Sequence, residues 1–440
     1  MTTRPPVASA ALTAALMGAL VAGCAAPAPT PSAPVARPTT SATSAPPART
    51  GGVTDLMAGL APRTAPTKAP DAAFTAAMAD FSVALLQRMA DGHDNVLLSP
   101  LVVELALAMT ANGASGDTLA QMEKVLADGA SLEDLNAALP AFAASLPSTD
   151  KARFRLADSI WLRDAPEVNI LPAFLQTNAD YYRAGVFRAP FDDATLAALN
   201  AWVKEHTDGM IPTMLDRLEP DLIMVLLSAL SFDAEWAVPY DESVIKDGVF
   251  TSASGAKQTS RFMSSIESAY LGDGLATGFA KPYAGGAYRF VALLPNAGVS
   301  LADYLASLTG DGLVRTLRGA QDVPVNATLP QFSFDYSADL GDALKAMGMP
   351  LAFEAGRADF SRMGTAGGNP LYIGYVKQKT FIDVTPLGTR AGAAAAVGMK
   401  AYGALLDPKT VTLDRPFVFG IVDAATNLPV FLGVANSVAA

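Results

Sequence analysis

The sequence predicts an α+β protein with one large folded domain, residues 71–440, behind an export leader and a tether. Three observations carry this. Apolar residues make up 51% of the 440, enough for a sizeable core. A single low-complexity stretch, residues 25–70, has no counterpart later in the chain. Past Asp71, helical and strand patterns interleave to the end. Length alone would allow two or three average domains, so the missing second linker decides for one.

Residues 1–24 carry Arg4, an apolar run from Val7 to Val21, and then Val21-Ala22-Gly23-Cys24, which reads as a targeting segment and not a spanning helix. The ending resembles a bacterial lipobox, in which the Cys becomes the lipidated first residue; more than one acyl chain gives stable anchoring. An ordinary cleaved signal with an incidental Cys is the alternative. Either way the chain is exported, as a cell-membrane lipoprotein or to the extracellular space. Residues 25 to about 70 are mostly Ala, Pro, Thr and Ser without apolar periodicity, a solvated tether that holds the domain off a membrane surface.

Asp71 can cap a helix in which Phe74, Met78, Phe81, Leu85 and Met89 recur at helical spacing. Asn95 to Leu98 is a short strand, and Ser99-Pro100 starts a helix, because Ser99 can accept from orphan amides and Pro suits the first turn. That helix, Leu101 to Asn112, is apolar nearly all round and therefore buried. Gly113 to Thr118 breaks it before another helix through Met122 and Leu126. Strands follow at Phe154–Leu162 and Leu222–Phe232, with an amphipathic helix from about Ala194 to Thr207 between them. Thr328 to Phe332 leads into a helix to Met349. Near the end, Phe381–Thr385 and Pro416–Val422 are strands that flank a long segment of small residues.

A net charge of −11 without a clustered basic face excludes a nucleic-acid partner. Cys24 is the only cysteine and lies in the leader, which leaves the domain no disulfide framework, Cys nucleophile or thiolate metal site. His93 and His206 are the only histidines, and both read as solvated, so a Ser/His/Asp triad has no base. Ser243-Val244-Ile245-Lys246 fits the S-x-x-K pattern of penicillin-recognising acyl enzymes, but no Ser-Asp-Asn or Lys-Thr-Gly follows. Gly272 to Gly278 is a turn, since its third Gly is one place late for a dinucleotide loop and no βαβ unit surrounds it.

From Gly388 to Ala396 only Arg390 exceeds Thr389 in size. Composition alone makes this a flexible linker. With its flanks, Asp383 to Pro416, it resembles the hinge and reactive centre loop of the serpins, whose cleaved loop inserts into the protein's own sheet. The resemblance continues through Asn95 to Met122, Leu226 to Trp236, Tyr283, Arg289 to Pro295, Thr328 to Phe332, Asp414 to Phe417 and Val430 to Asn436, covering roughly 71 to 438.

The resemblance implies a fold of three β-sheets and about nine helices with an exposed reactive centre loop. It implies no catalysis, no cofactor and no metal, a monomer, and a serine protease as partner, with the membrane reached through the lipid anchor. Family members offer the loop as bait; the protease forms an acyl-enzyme, and the freed loop enters the sheet as a new strand that drags and distorts the protease. A strand of about 14 residues spans roughly 45 Å, and at about 1 kcal/mol per backbone bond insertion yields on the order of 10–15 kcal/mol. A non-inhibitory binding or carrier module is the alternative, and an acyl-transfer hydrolase a third.

By the same resemblance Gly388 opens the hinge, and Thr389, Ala391, Ala393 and Ala395 face the underside of the sheet, where all are small enough to fit. Arg390 falls on the other face, where it can stay wet. The family usually has acidic residues at Pro386 and Arg390, and Pro386, lacking an N–H, is expected to slow the first step. Trp236 matches the sheet-top Trp. In the buried cluster beneath the sheet Ser99 matches, whereas Val102 replaces a Ser, Ser228 an Asn and Gln378 a His. Family spacing puts the scissile bond at Tyr402-Gly403, suiting a chymotrypsin-like protease; Lys400-Ala401 would suit a trypsin-like one.

Overall fold

Asp71 opens the helix Ala72–Met89 by accepting the Phe74 N–H at 2.9 Å, and Met78, Phe81 and Leu85 on its apolar face are buried. It is one of nine α-helices among the described residues, which in this computed structural model are 49–50, 52–92, 94–166, 168–219, 222–389 and 408–439. These residues also form three sheets, of eight, nine and three strands. Among the described residues, no helix is long and apolar enough to cross a membrane.

The eight-stranded main sheet runs, edge to edge, through Arg49–Thr50, Val53–Asp55, Gly185–Ala189, Ala152–Arg163, Met224–Glu235, Gly388–Thr389, Tyr375–Val384 and Phe332–Asp339. Helix Pro100–Ala111 packs beneath its strands Ala152–Arg163 and Met224–Glu235, and all twelve helix residues are buried. Strand Met224–Glu235 is covered on both faces. Leu226 and Leu230 belong to the large core around that helix, whereas Val225 and Leu227 pack with Trp161 and Phe187 under helix Asp193–His206. Double burial explains the near-continuous apolar run Met224 to Phe232, where a half-exposed strand would alternate.

The structure changes three expectations. The solvated tether was placed through residue 70, yet Val53–Asp55 pairs with Gly185–Ala189, the Leu56 N–H donates to the Val186 carbonyl at 2.9 Å, and Arg63 donates through Nη2 to Asp180 at 2.7 Å. Val53, Leu56 and Met57 supply apolar contacts to the body, a pattern the surrounding Ala/Pro/Thr composition conceals. A strand, Phe332–Asp339, intervenes before the helix Gly341–Met347. Ser99 begins its helix without a side-chain capping bond.

Candidate functional site

The site is a seam in the main sheet. Among the described residues, strand Met224–Glu235 meets strand Tyr375–Val384 directly in parallel register over Val225–Ala229 and Tyr375–Lys379. At the other end Gly388 and Thr389 lie between them, antiparallel to both, with Gly388 opposite Glu235, and Thr389 opposite Ala234 and Val384. Neighbouring strands sit about 4.8 Å apart, so an interposed strand doubles the spacing to about 9.6 Å. The seam is closed at one end and wedged apart at the other.

A tight turn delivers the wedge. The Thr385 N–H and Oγ1 both donate to the Gly388 carbonyl at 2.9 Å, and the three carbonyls between are gripped from below. The Trp236 indole Nε1–H donates to the Thr385 oxygen at 2.9 Å, the Tyr240 N–H to Pro386 at 2.9 Å and the Trp236 N–H to Leu387 at 2.9 Å. Pro386 thus stands in the turn, where its missing N–H has no ladder bond to forfeit.

Thr389 is 2% exposed, its Oγ1 2.5 Å from the Tyr283 hydroxyl. Tyr283 is stacked on Trp236 at 4.5 Å, and burial raises its phenol far above the ordinary range. The first two hinge residues, Gly388 and Thr389, are thus seated in the sheet. The small Gly388 and Thr389 permit this where bulk would not.

Below the wedge, the row across the sheet on its core face is polar: Asp158 pairs with Ser228, and Ser228 with Gln378. Gln378 is fully buried; its Nε2 donates to the Ser99 carbonyl at 2.8 Å and its Oε1 accepts the Ser99 N–H at 3.2 Å. Thr380 Oγ1 donates to the Leu97 carbonyl at 2.7 Å. Ser99, Ser228 and Gln378 are therefore neighbours, and the strand Val96–Leu98 with the helix start is bonded to one lip of the seam. Ser99 Oγ, Ser228 Oγ and Asp158 Oδ1 have no hydrogen-bond partner among the described residues. Burial pushes the Asp158 carboxyl well above the usual carboxylate range.

Cys24, Arg390, Ala391, Ala393, Ala395, Lys400, Ala401, Tyr402, Gly403 and His93 lie outside the described residues. His206 is exposed and stacks on Trp202 at 4.2 Å. Ser243 sits in a 3₁₀ turn and Lys246 in the strand Ile245–Thr251, which denies the pair the helical spacing an acyl enzyme needs. Gly272 to Gly278 spans the hairpin between Lys257–Gly272 and Ala276–Pro282. Among the described residues no three His, Cys, Asp or Glu groups are placed to hold a metal. Sequence reasoning passed over Tyr240, Lys281 and Glu267; the available signal was a lone Lys in the apolar run Phe279 to Tyr283.

The family model described as "Serpin (serine protease inhibitor)" matches residues 76–438. The chain is 28% identical to the leukocyte elastase inhibitor of Xenopus tropicalis, over 82% of this chain and 99% of that protein. The native-state crystal structure of the thermophilic serpin tengpin superposes with TM-score 0.84 at 41% identity, covering 88% of this chain and 99% of that one. The latent-state structure of tengpin gives 0.75 at 39% identity, covering 85% and 100%.

Proposed function

Since this chain is a member of the serpin family, one of serine protease inhibitors and not of catalysts, we propose that it traps a serine protease as an acyl-enzyme by inserting its cleaved loop into the seam of the main sheet. The observation that carries this is the seated pair Gly388–Thr389, which already fixes the register of an inserting strand. Continued downward, that register sets Ala391 between Phe232 and Ile382, Ala393 between Leu230 and Thr380, and Ala395 between Ser228 and Gln378. All six flanking residues are at most 4% exposed, and only small side chains fit there. Arg390 falls on the opposite face between Asp233 and Asp383, charges of opposite sign. Insertion must part the direct ladder of Val225–Ala229 with Tyr375–Lys379, exchanging one parallel pairing for two antiparallel ones.

The protease is of the chymotrypsin-like class on the Tyr402-Gly403 bond, with Lys400-Ala401 the trypsin-like alternative. The greater likeness to the native than to the latent relative supports a state whose loop has not yet inserted. The test incubates the monomeric chain with proteases of both classes. The expected result is an SDS-resistant complex with one of them and a released peptide starting at Gly403, or at Ala401. Clean cleavage with no complex would sink trapping and favour a binding or carrier module; rapid turnover of an added ester by the chain itself would favour a hydrolase.

We also propose that the chain is an exported bacterial lipoprotein with Cys24 as its acylated first residue, on the strength of Val21-Ala22-Gly23 before it. Mass spectrometry of the mature N-terminus should find diacylglyceryl-modified Cys24. A free thiol there, or cleavage at another bond, removes the anchor.

A further inference from the structure

Behind the residues that grip the hinge turn lies a buried ion pair. Lys281 Nζ is 2.8 Å from Glu267 Oε1, with the side chains 2% and 8% exposed. Ser265 Oγ donates to the same Glu267 oxygen at 2.7 Å. The rest of the ammonium faces aromatic rings, 4.3 Å from the centre of Tyr240 and 5.5 Å from that of Trp236. Those two residues supply the three donors to the carbonyls of Thr385, Pro386 and Leu387, and Tyr240 stands edge-on to Trp236.

A buried ion pair is a poor way to stabilise a fold, because apolar side chains of equal volume often serve as well or better. Its position therefore calls for a reason. A desolvated cation fixes an aromatic ring by orientation as well as distance, and Glu267 in turn fixes the cation. The sheet that carries Lys281 and Glu267, on Ala276–Pro282 and Lys257–Gly272, is thereby linked to the turn that starts the inserting strand.

We propose that Lys281 and Glu267 are positioning residues that hold Tyr240 and Trp236 on the 385–387 carbonyls and so keep Gly388–Thr389 seated at the open end of the seam. The pair does not touch the loop; it acts through the two aromatics. A seated start lets insertion propagate from a formed register instead of nucleating one, and this consequence for trapping rests on the insertion reading above. The effect on the turn itself does not.

The test therefore has two arms on the full uncut chain. Amide hydrogen exchange reads the grip directly, because the Trp236 and Tyr240 N–H groups are two of its donors. Glu267→Gln and Lys281→Met should each raise exchange at both amides tenfold or more, relative to amides in Tyr288–Pro295. The paired variant Glu267→Leu with Lys281→Met, which restores apolar packing without a cation, should regain thermal stability while exchange stays raised. Unchanged exchange in the single variants, or protection regained by the paired variant, would overturn the proposal. In the second arm, with a protease that the parent traps, Glu267→Gln should raise the fraction of cleaved, released inhibitor several-fold. Raised exchange with an unchanged fraction would overturn the link to insertion. A parent that traps no protease would instead fail the functional reading, and the exchange arm would still decide the role of the pair.

Discussion

Cleavage near Tyr402 should raise the unfolding temperature of the domain by roughly 10 °C or more. The seated register runs residue 390 to the level of Val225 at about residue 398. Each inserted residue bonds to strands on both sides while the direct ladder is lost, so about one net bond per residue, at about 1 kcal/mol, gives on the order of 9 kcal/mol. A folded unit of roughly 360 residues has an unfolding entropy of about 0.75 kcal/mol per kelvin, which turns that gain into about 12 °C. Scanning calorimetry before and after cleavage checks it, and a non-target protease serves as well as a trapped one. An ordinary surface loop, once cut, leaves the melting temperature unchanged or lower; that result would mean the seam does not open.

Ala393→Arg should abolish both that stabilisation and trapping, leaving a protein that is cut and released. In the inserted register, position 393 lies between Leu230 and Thr380, 1% and 0% exposed, on the core face. Burying an unpaired guanidinium there costs several kcal/mol, a large share of the insertion energy. The number of inhibitor molecules consumed per protease inactivated should rise at least tenfold, and the temperature gain should shrink to a fraction of the parent's. Ala393→Thr, small and suited to a strand, is the control and should behave as the parent. Equal trapping by Ala393→Arg and the parent would place the cleaved loop elsewhere.

The hinge shows how far sequence carries and where it stops. The small side chains from Gly388 to Ala396 were legible as a segment free to enter a crowded interior, and the buried helix Pro100–Ala111 was legible from apolarity on every side. Both are properties of a residue with its near neighbours. The lone Cys24, the scarcity of histidine and the tether composition likewise bounded the chemistry without any fold.

What the sequence left open depends on contacts between distant residues. That Thr389 is already beside Tyr283, 106 residues away in the chain, and that Pro386 stands in a turn whose carbonyls Trp236 and Tyr240 take, follow from three segments meeting at one end of the sheet. Gln378 could be read as a donor and acceptor, but only the fold shows that it spends both on the backbone of Ser99. Residues 53–57 read as tether because a few apolar side chains among Ala, Pro and Thr bury nothing by themselves; they become structure when strand Gly185–Ala189 offers an unpaired edge. By itself the sequence determined which segments are small, apolar or charged. The tertiary structure decided which of them bond to each other, because backbone partners and buried charges across sheets are set by register and packing, which local composition does not encode.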